Sequence, residues 1–305
     1  MKLFFRTIGE GVPLIILHGL WGASENWLPI AHLLEDKFQV ILPDIRNHGQ
    51  SPHDEAMNYE VMSNDVIELV EDLKLPVQPH IVGHSMGGKI VMALLLKRPE
   101  LVNKAVVVDL APVSYSQRDG GSHNRIIDFM ANFDLSRLHS REEVKEAIQQ
   151  HFRTERSQQL FLKNIKKTSS GFEWKINHRV ISKYFDEISG CPSSLPNNTY
   201  DKEILFIKGE QSNLITGTEH ADCKNQLVWP PEPGILYDKK DACRQTENQM
   251  IGKRNRECCC IHEKYFLSSF RNSKPNDIQL SLYHKYYRNA MDFRKNTWKS
   301  IFMAA

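Results

Sequence analysis

Apolar residues in the first third of the chain alternate between short continuous runs and helical spacing. Leu3-Phe4-Phe5 opens a strand that the turn signal Gly9-Glu10-Gly11 ends. Pro13-Leu14-Ile15-Ile16-Leu17 is apolar without a break, as expected of a strand covered on both faces. Trp27, Ile30, Ala31, Leu33 and Leu34 then keep the spacing of one helix face. The rhythm repeats with the strand Phe38-Gln39-Val40-Ile41-Leu42 and the helix carrying Met62, Val66, Leu69, Val70 and Leu73. It repeats again with a strand ending Ile81-Val82, a helix from Lys89 to Leu96, and the strand Ala105-Val106-Val107-Val108. Buried strands alternating with helices predict a doubly wound, mostly parallel α/β sheet, with its ligand crevice at the carboxyl ends of the strands.

From about Pro112 to Leu195 this rhythm stops. Ile126, Ile127, Phe129 and Met130 predict one helix, and Val144, Ile148 and Phe152 another. Leu160 and Phe161, then Trp174, Val180, Ile181, Tyr184, Phe185 and Ile188, predict two more. The block interrupts the alternation just after a strand end, so it is expected to be a helical lid inserted over the crevice. Alternation resumes with the strand Glu203-Ile204-Leu205-Phe206-Ile207-Lys208. The expected organisation is a first core part over 1–111, a lid over 112–200, a core strand over 201–216 and an atypical segment over 217–305.

Composition narrows the class only a little. A formal net charge of +2 favours no acidic partner. No apolar run approaches the length of a membrane span, and no apolar leader follows Met1. A cytoplasmic protein is therefore expected, with neither a membrane span nor nucleic acid as partner.

The candidate chemistry lies in Val82-Gly83-His84-Ser85-Met86-Gly87-Gly88, between a predicted strand and a predicted helix. Strand, Gly-x-Ser-x-Gly and helix in that order make a nucleophile elbow. The serine must take a strained turn with positive φ, and small residues two before and two after let strand and helix pass closely. The hydroxyl is then exposed beside the backbone N–H of Met86, at the positive end of a helix. Asp109 stands at the carboxyl end of the next predicted strand.

Four segments together resemble the α/β-hydrolase superfamily, and within it the small bacterial and mitochondrial esterases and acyl-thioesterases with a four-helix lid. They are His18-Gly19, Asp44-Ile45-Arg46-Asn47-His48-Gly49-Gln50-Ser51, Gly83-His84-Ser85-Met86-Gly87-Gly88, and Val108-Asp109-Leu110-Ala111-Pro112-Val113. The resemblance implies that Ser85 is the nucleophile and that the N–H groups of Leu20 and Met86 form the oxyanion hole. It implies that His18 and Gly19 shape the approach of the second donor, that Asp109 orients the catalytic histidine, and that Ser212 supports the site. Glu210 is the rival acid. The substrate implied is a small-molecule carboxylic ester or thioester, with no cofactor. Arg46 is expected to pair with Asp44 or with a lid carboxylate.

The family's general base sits in a Gly-x-Gly-His or Ala-Gly-His signature, which is missing after Thr216. The histidines there are His220, His262 and His284, and His262 is taken as the candidate base. Five of the six cysteines also follow residue 216, including Cys258-Cys259-Cys260. Three adjacent cysteines cannot supply two Cys-x-x-Cys pairs, so no metal site is expected. The alternative reading is a relative without the His loop, catalytically impaired and acting at most as a binding protein.

Overall fold

The computed structural model describes residues 1–115, 122–169, 171–190, 200 and 204–207. In chain order the core elements are β1 (Phe5–Ile8), β2 (Val12–Leu17), α1 (Leu28–Leu34), β3 (Phe38–Pro43) and α2 (Tyr59–Leu73). They continue with β4 (His80–His84), α3 (Met86–Lys97) and β5 (Ala105–Val108). The interrupting block contains α4 (Ser122–Asn132), α5 (Arg141–His151) and α6 (Glu155–Lys163). The strands β6 (Ile165–Thr168) and β7 (Gly171–Trp174) follow, then α7 (His178–Lys183) and α8 (Phe185–Ser189). The last described element is β8 (Ile204–Ile207).

The main sheet has the order β1-β3-β2-β4-β5-β8, with β1 antiparallel to β3 and the other pairs parallel. The two-residue period sorts its side chains. Leu14, Ile16, Val40, Leu42, Val82, Val106 and Val108 form one apolar layer with Ala31 and Leu34 of α1. Ile15, Leu17, Ile41, Ile81, Ala105 and Val107 form the opposite layer with α2, α3 and the inserted block. Both faces are covered, which is why these strands read as unbroken apolar runs.

Polar groups settle the helix ends. Asn58 precedes α2 in extended conformation and accepts a hydrogen bond from Val61 N–H, while Lys74 closes the helix at φ +46°. Helix α3 is buried along nearly its whole length from Met86 to Leu96, with Lys89 as the one charged residue among them.

The last helix predicted in the inserted block, from Trp174 to Ile188, is instead a strand end followed by two short helices, α7 and α8. Trp174 does not continue a helical face but ends β7, which pairs antiparallel with β6. Its ring still joins the aromatic cluster of Phe129, Phe133 and Phe161. Burial of an aromatic residue is compatible with either period, so the sequence pattern did not separate the two. The block is docked on the core by Asn177, whose N–H donates to Asn47 O (2.9 Å) and whose Nδ2 donates to Asn47 Oδ1 (3.1 Å). Its Oδ1 also accepts from Val180 N–H at the start of α7. Asn177→Ala is expected to lower unfolding free energy by about 1–2 kcal/mol, measured by urea titration.

Candidate functional site

The strand order reverses between β2 and β4. The chain passes from β2 to β3 on one side and returns to β4 on the other. Such a switch point opens a crevice at the strands' carboxyl ends. The ends of β2 and β4 lie side by side there, with Leu17 opposite Gly83, and β5 follows with Val108 opposite His84. His18-Gly19-Leu20, Ser85-Met86 and Asp109 are therefore brought to one rim. Ser212 and His262 lie outside the described residues, as do Glu210, His220 and His284.

Ser85 sits at φ +52°, ψ −120°, between β4 and α3. The sharp turn brings the two elements so close that a Cβ on Gly83 would overlap the Gly87 carbonyl. On Gly87 it would lie 2.5 Å from Leu17 O. Ser85 N–H donates to Val108 O (3.0 Å), and Gly88 N–H donates to Ser85 O (2.8 Å). Met86 is the first residue of α3, where backbone N–H groups have no acceptor within the helix. Asp109 also has positive φ, +58°, and its N–H donates to Ile207 O at 2.7 Å. Two non-glycine residues in the left-handed region at adjacent strand ends mark a rim held in place by its surroundings.

The loop after β2 is fixed by His18. Ile45 N–H donates to His18 Nε2 (2.9 Å), so that nitrogen carries the lone pair. The proton is then on Nδ1, which donates to Gly19 O at 2.9 Å. Burial pushes the His18 pKa down and keeps the ring neutral. Gly22 N–H donates to the same Gly19 oxygen (2.9 Å). In a trans peptide the N–H points opposite to the C=O, so two donors on Gly19 O also fix the direction of Leu20 N–H. Gly19 approaches the elbow closely: a Cβ there would lie 3.2 Å from Ser85 Cβ.

Asp44 holds the neighbouring loop. Its Oδ1 accepts from Ser24 N–H (2.6 Å) and its Oδ2 from Gln50 N–H (2.8 Å). The carboxylate is thereby occupied by backbone donors, and Arg46 pairs elsewhere, contrary to expectation. Arg46 binds Asp65 of α2 through Nε (2.6 Å) and Nη2 (2.7 Å) and reaches Asp54 at 3.3 Å. His48 is buried with Nδ1 against Arg46 O (2.9 Å), and burial brings its pKa down to about 3. It is a neutral loop residue.

Two further buried polar side chains connect the inserted block to this rim. Asn164, at the end of α6, donates from Nδ2 to Trp21 O (2.8 Å) and to Leu160 O (2.9 Å). Lys89, one helical turn beyond Ser85, donates from Nζ to Ser189 O (2.9 Å) and Gly190 O at the end of α8. Its ammonium also faces the rings of Tyr59 (5.7 Å) and Tyr115 (5.1 Å). Neither role was foreseen. Lys89 did carry a signal, as a lone charge in an otherwise apolar helix, whereas Asn164 carried none. No cluster of three or more His, Cys, Asp or Glu suited to a metal occurs among the described residues, and none of their helices is long and apolar enough to cross a membrane.

Comparison with known proteins agrees with this fold. The sequence model of the family described as alpha/beta hydrolase fold matches residues 12–232. An sn-1-specific diacylglycerol lipase ABHD11 of Xenopus laevis is 32% identical over 216 residues, which is 70% of this chain and 68% of that protein. Esterase YbfF of Escherichia coli K12 is 31% identical over 215 residues, covering 70% of this chain and 80% of its own length. Among solved structures, one of a marine microorganism esterase superposes with a TM-score of 0.71 at 33% identity. It covers 81% of this chain and 98% of that one.

Proposed function

The chain belongs to the α/β-hydrolase family, and from that premise we propose that it hydrolyses carboxylic esters or thioesters through an acyl-Ser85 intermediate. The observation that carries the reading is the Ser85 elbow, with its φ of +52° and closely crossed strand and helix, at the rim shared with Gly19 and Asp109. The similar proteins named as esterases and a lipase support ester cleavage as the reaction class.

Ser85 Oγ attacks the acyl carbonyl carbon while a histidine takes its proton. The carbonyl oxygen becomes an oxyanion that accepts hydrogen bonds from Leu20 N–H and Met86 N–H. Collapse expels the alcohol or thiol, which receives that proton, and leaves acyl-Ser85. Water then attacks the acyl group through the same base and oxyanion hole, releasing the carboxylic acid and restoring Ser85. Asp109 orients the histidine and stabilises its charged form. We take His262 as that histidine, with Ser212 supporting the site. The inserted block serves as a lid, and its aromatic cluster suits a moderately apolar acyl group.

The missing Gly-x-Gly-His signature after Thr216 favours a second reading, in which the elbow lacks its base and the chain at most binds acyl compounds. Labelling the full chain with a fluorophosphonate and locating the adduct by mass spectrometry separates the two. A phosphonyl adduct on Ser85 is expected. A folded chain that stays unlabelled leaves only the binding reading.

A further inference from the structure

We propose that Asn164 is a positioning residue that ties the inserted block to the oxyanion hole through two peptide units. The inference rests on the reading of Leu20 N–H as an oxyanion donor. The links form one continuous path. Asn164 Nδ2 donates to the carbonyl of Trp21 (2.8 Å). The same peptide unit presents Gly22 N–H, which donates to the carbonyl of Gly19 (2.9 Å). That second peptide unit ends in Leu20 N–H. A hydrogen bond accepted at the oxygen of an amide polarises its N–H, so bonds in series strengthen one another. The path therefore makes Leu20 N–H a stronger donor as well as fixing its direction.

The orientation of the Asn164 amide is forced. Both of its near acceptors, Trp21 O and Leu160 O, are carbonyls, so a flipped amide would set Oδ1 against two oxygens. The side chain is 3% exposed, and its own backbone is fixed independently. Asn164 N–H donates to Phe161 O (2.9 Å), and Asn164 O accepts from Lys175 N–H (2.7 Å). The amide thus reaches the core from a rigid point.

Trp21 shows what the bond must hold. It stands at φ +66°, a conformation that L residues with large side chains disfavour. Its ring stacks on His123 of α4 at 6.3 Å, and His123 in turn contacts Phe185 of α8 at 5.6 Å. One element of the inserted block therefore contacts the Trp21 ring, backed by a second behind His123, while Asn164 holds its carbonyl. Without the Asn164 hydrogen bond the Trp21–Gly22 peptide loses the donor that fixes its carbonyl and can turn about Trp21 ψ and Gly22 φ. Gly22 N–H then leaves Gly19 O, and the path to Leu20 is broken.

The test is hydrogen exchange of the Gly22 amide in the full chain, wild type against Asn164→Leu, with Asn164→Ala as the variant of smaller steric demand. Wild-type Gly22 is expected to be protected, and its exchange to quicken at least about tenfold in the variants while Gly88 at the elbow is unchanged. Fast exchange of Gly22 in the wild type, or unchanged exchange in a folded variant, overturns the proposal. A second arm follows fluorophosphonate inactivation and ester kinetics. The variants are expected to lose about tenfold in inactivation rate and in kcat, with KM little changed. A loss confined to KM also overturns it. A wild type that does not label at Ser85 defeats the serine reading instead, and Gly22 exchange alone then decides the relay.

Discussion

Replacing Ser85 with alanine is expected to lower kcat for a p-nitrophenyl ester by about five to six orders of magnitude, with the fold intact. The side chain lost is the proposed nucleophile, and the backbone bonds that shape the elbow, Ser85 N–H to Val108 O and Gly88 N–H to Ser85 O, need no hydroxyl. Asp109→Asn is expected to cost about 10⁴-fold, because in the proposed triad an amide cannot hold the histidine in the tautomer that accepts the Ser85 proton. Its backbone is anchored on Ile207 O, so the substitution should leave the rim unmoved. Both values come from initial rates over long incubations, with circular dichroism to verify folding. Residual Ser85→Ala activity within tenfold of wild type would remove Ser85 from the reaction. If Asp109→Asn alone stayed near wild type, the acid would instead be Glu210.

The second large effect concerns stability and pH. Lys89 is 1% exposed, and burial pushes its pKa down to about 7 from an ordinary value of 10.5. The carbonyls of Ser189 and Gly190 and the faces of Tyr59 and Tyr115 favour the ammonium against that desolvation. Between about pH 7 and pH 10.5 the unfolded chain holds a proton at this position more firmly than the folded one. Stability therefore rises with pH across that window, and below about pH 7 the whole penalty is present. Lys89→Met keeps the stem and removes the titration. The stability of wild type relative to Lys89→Met is expected to climb by a few kcal/mol across the window, in urea unfolding at stepped pH. Parallel curves for the two proteins would show that the amine keeps its proton when buried.

The core was legible because its strands are covered on both faces. Runs such as Pro13–Leu17 and Ala105–Val108 have few other uses in a chain of this composition, and the elbow glycines state a steric need that Gly83 and Gly87 meet in space. Tertiary polar contacts were not legible. The sequence points Arg46 to Asp44, two positions before it, or to a lid carboxylate. The structure gives it Asp65, nineteen positions away on α2, because Asp44 already serves two backbone N–H groups. Nothing local distinguishes Asn164 from an exposed helix cap, since its partner Trp21 lies 143 positions earlier. Trp174 shows the limit of periodicity: four residues of β7 hold too few apolar positions to separate a period of two from one of 3.6.

The pairing of β5 with β8 closes the sheet across the inserted block. Ala105 lies opposite Ile204, and the N–H of Asp109 is held by Ile207. Strands β2, β3 and β4 pair within a shorter stretch of chain and can assemble before the inserted block has been synthesised. The backbone of Asp109 acquires its partner only when that block has looped out and β8 has returned to the sheet. Doubling the length of such a loop adds only about 0.6 kcal/mol to its closure. Segments of quite different size can therefore be accommodated at this point of the chain, at little cost to the sheet. The hydrogen bond that anchors the left-handed turn at Asp109 thus spans the inserted block, whereas the one that anchors Ser85 on Val108 does not.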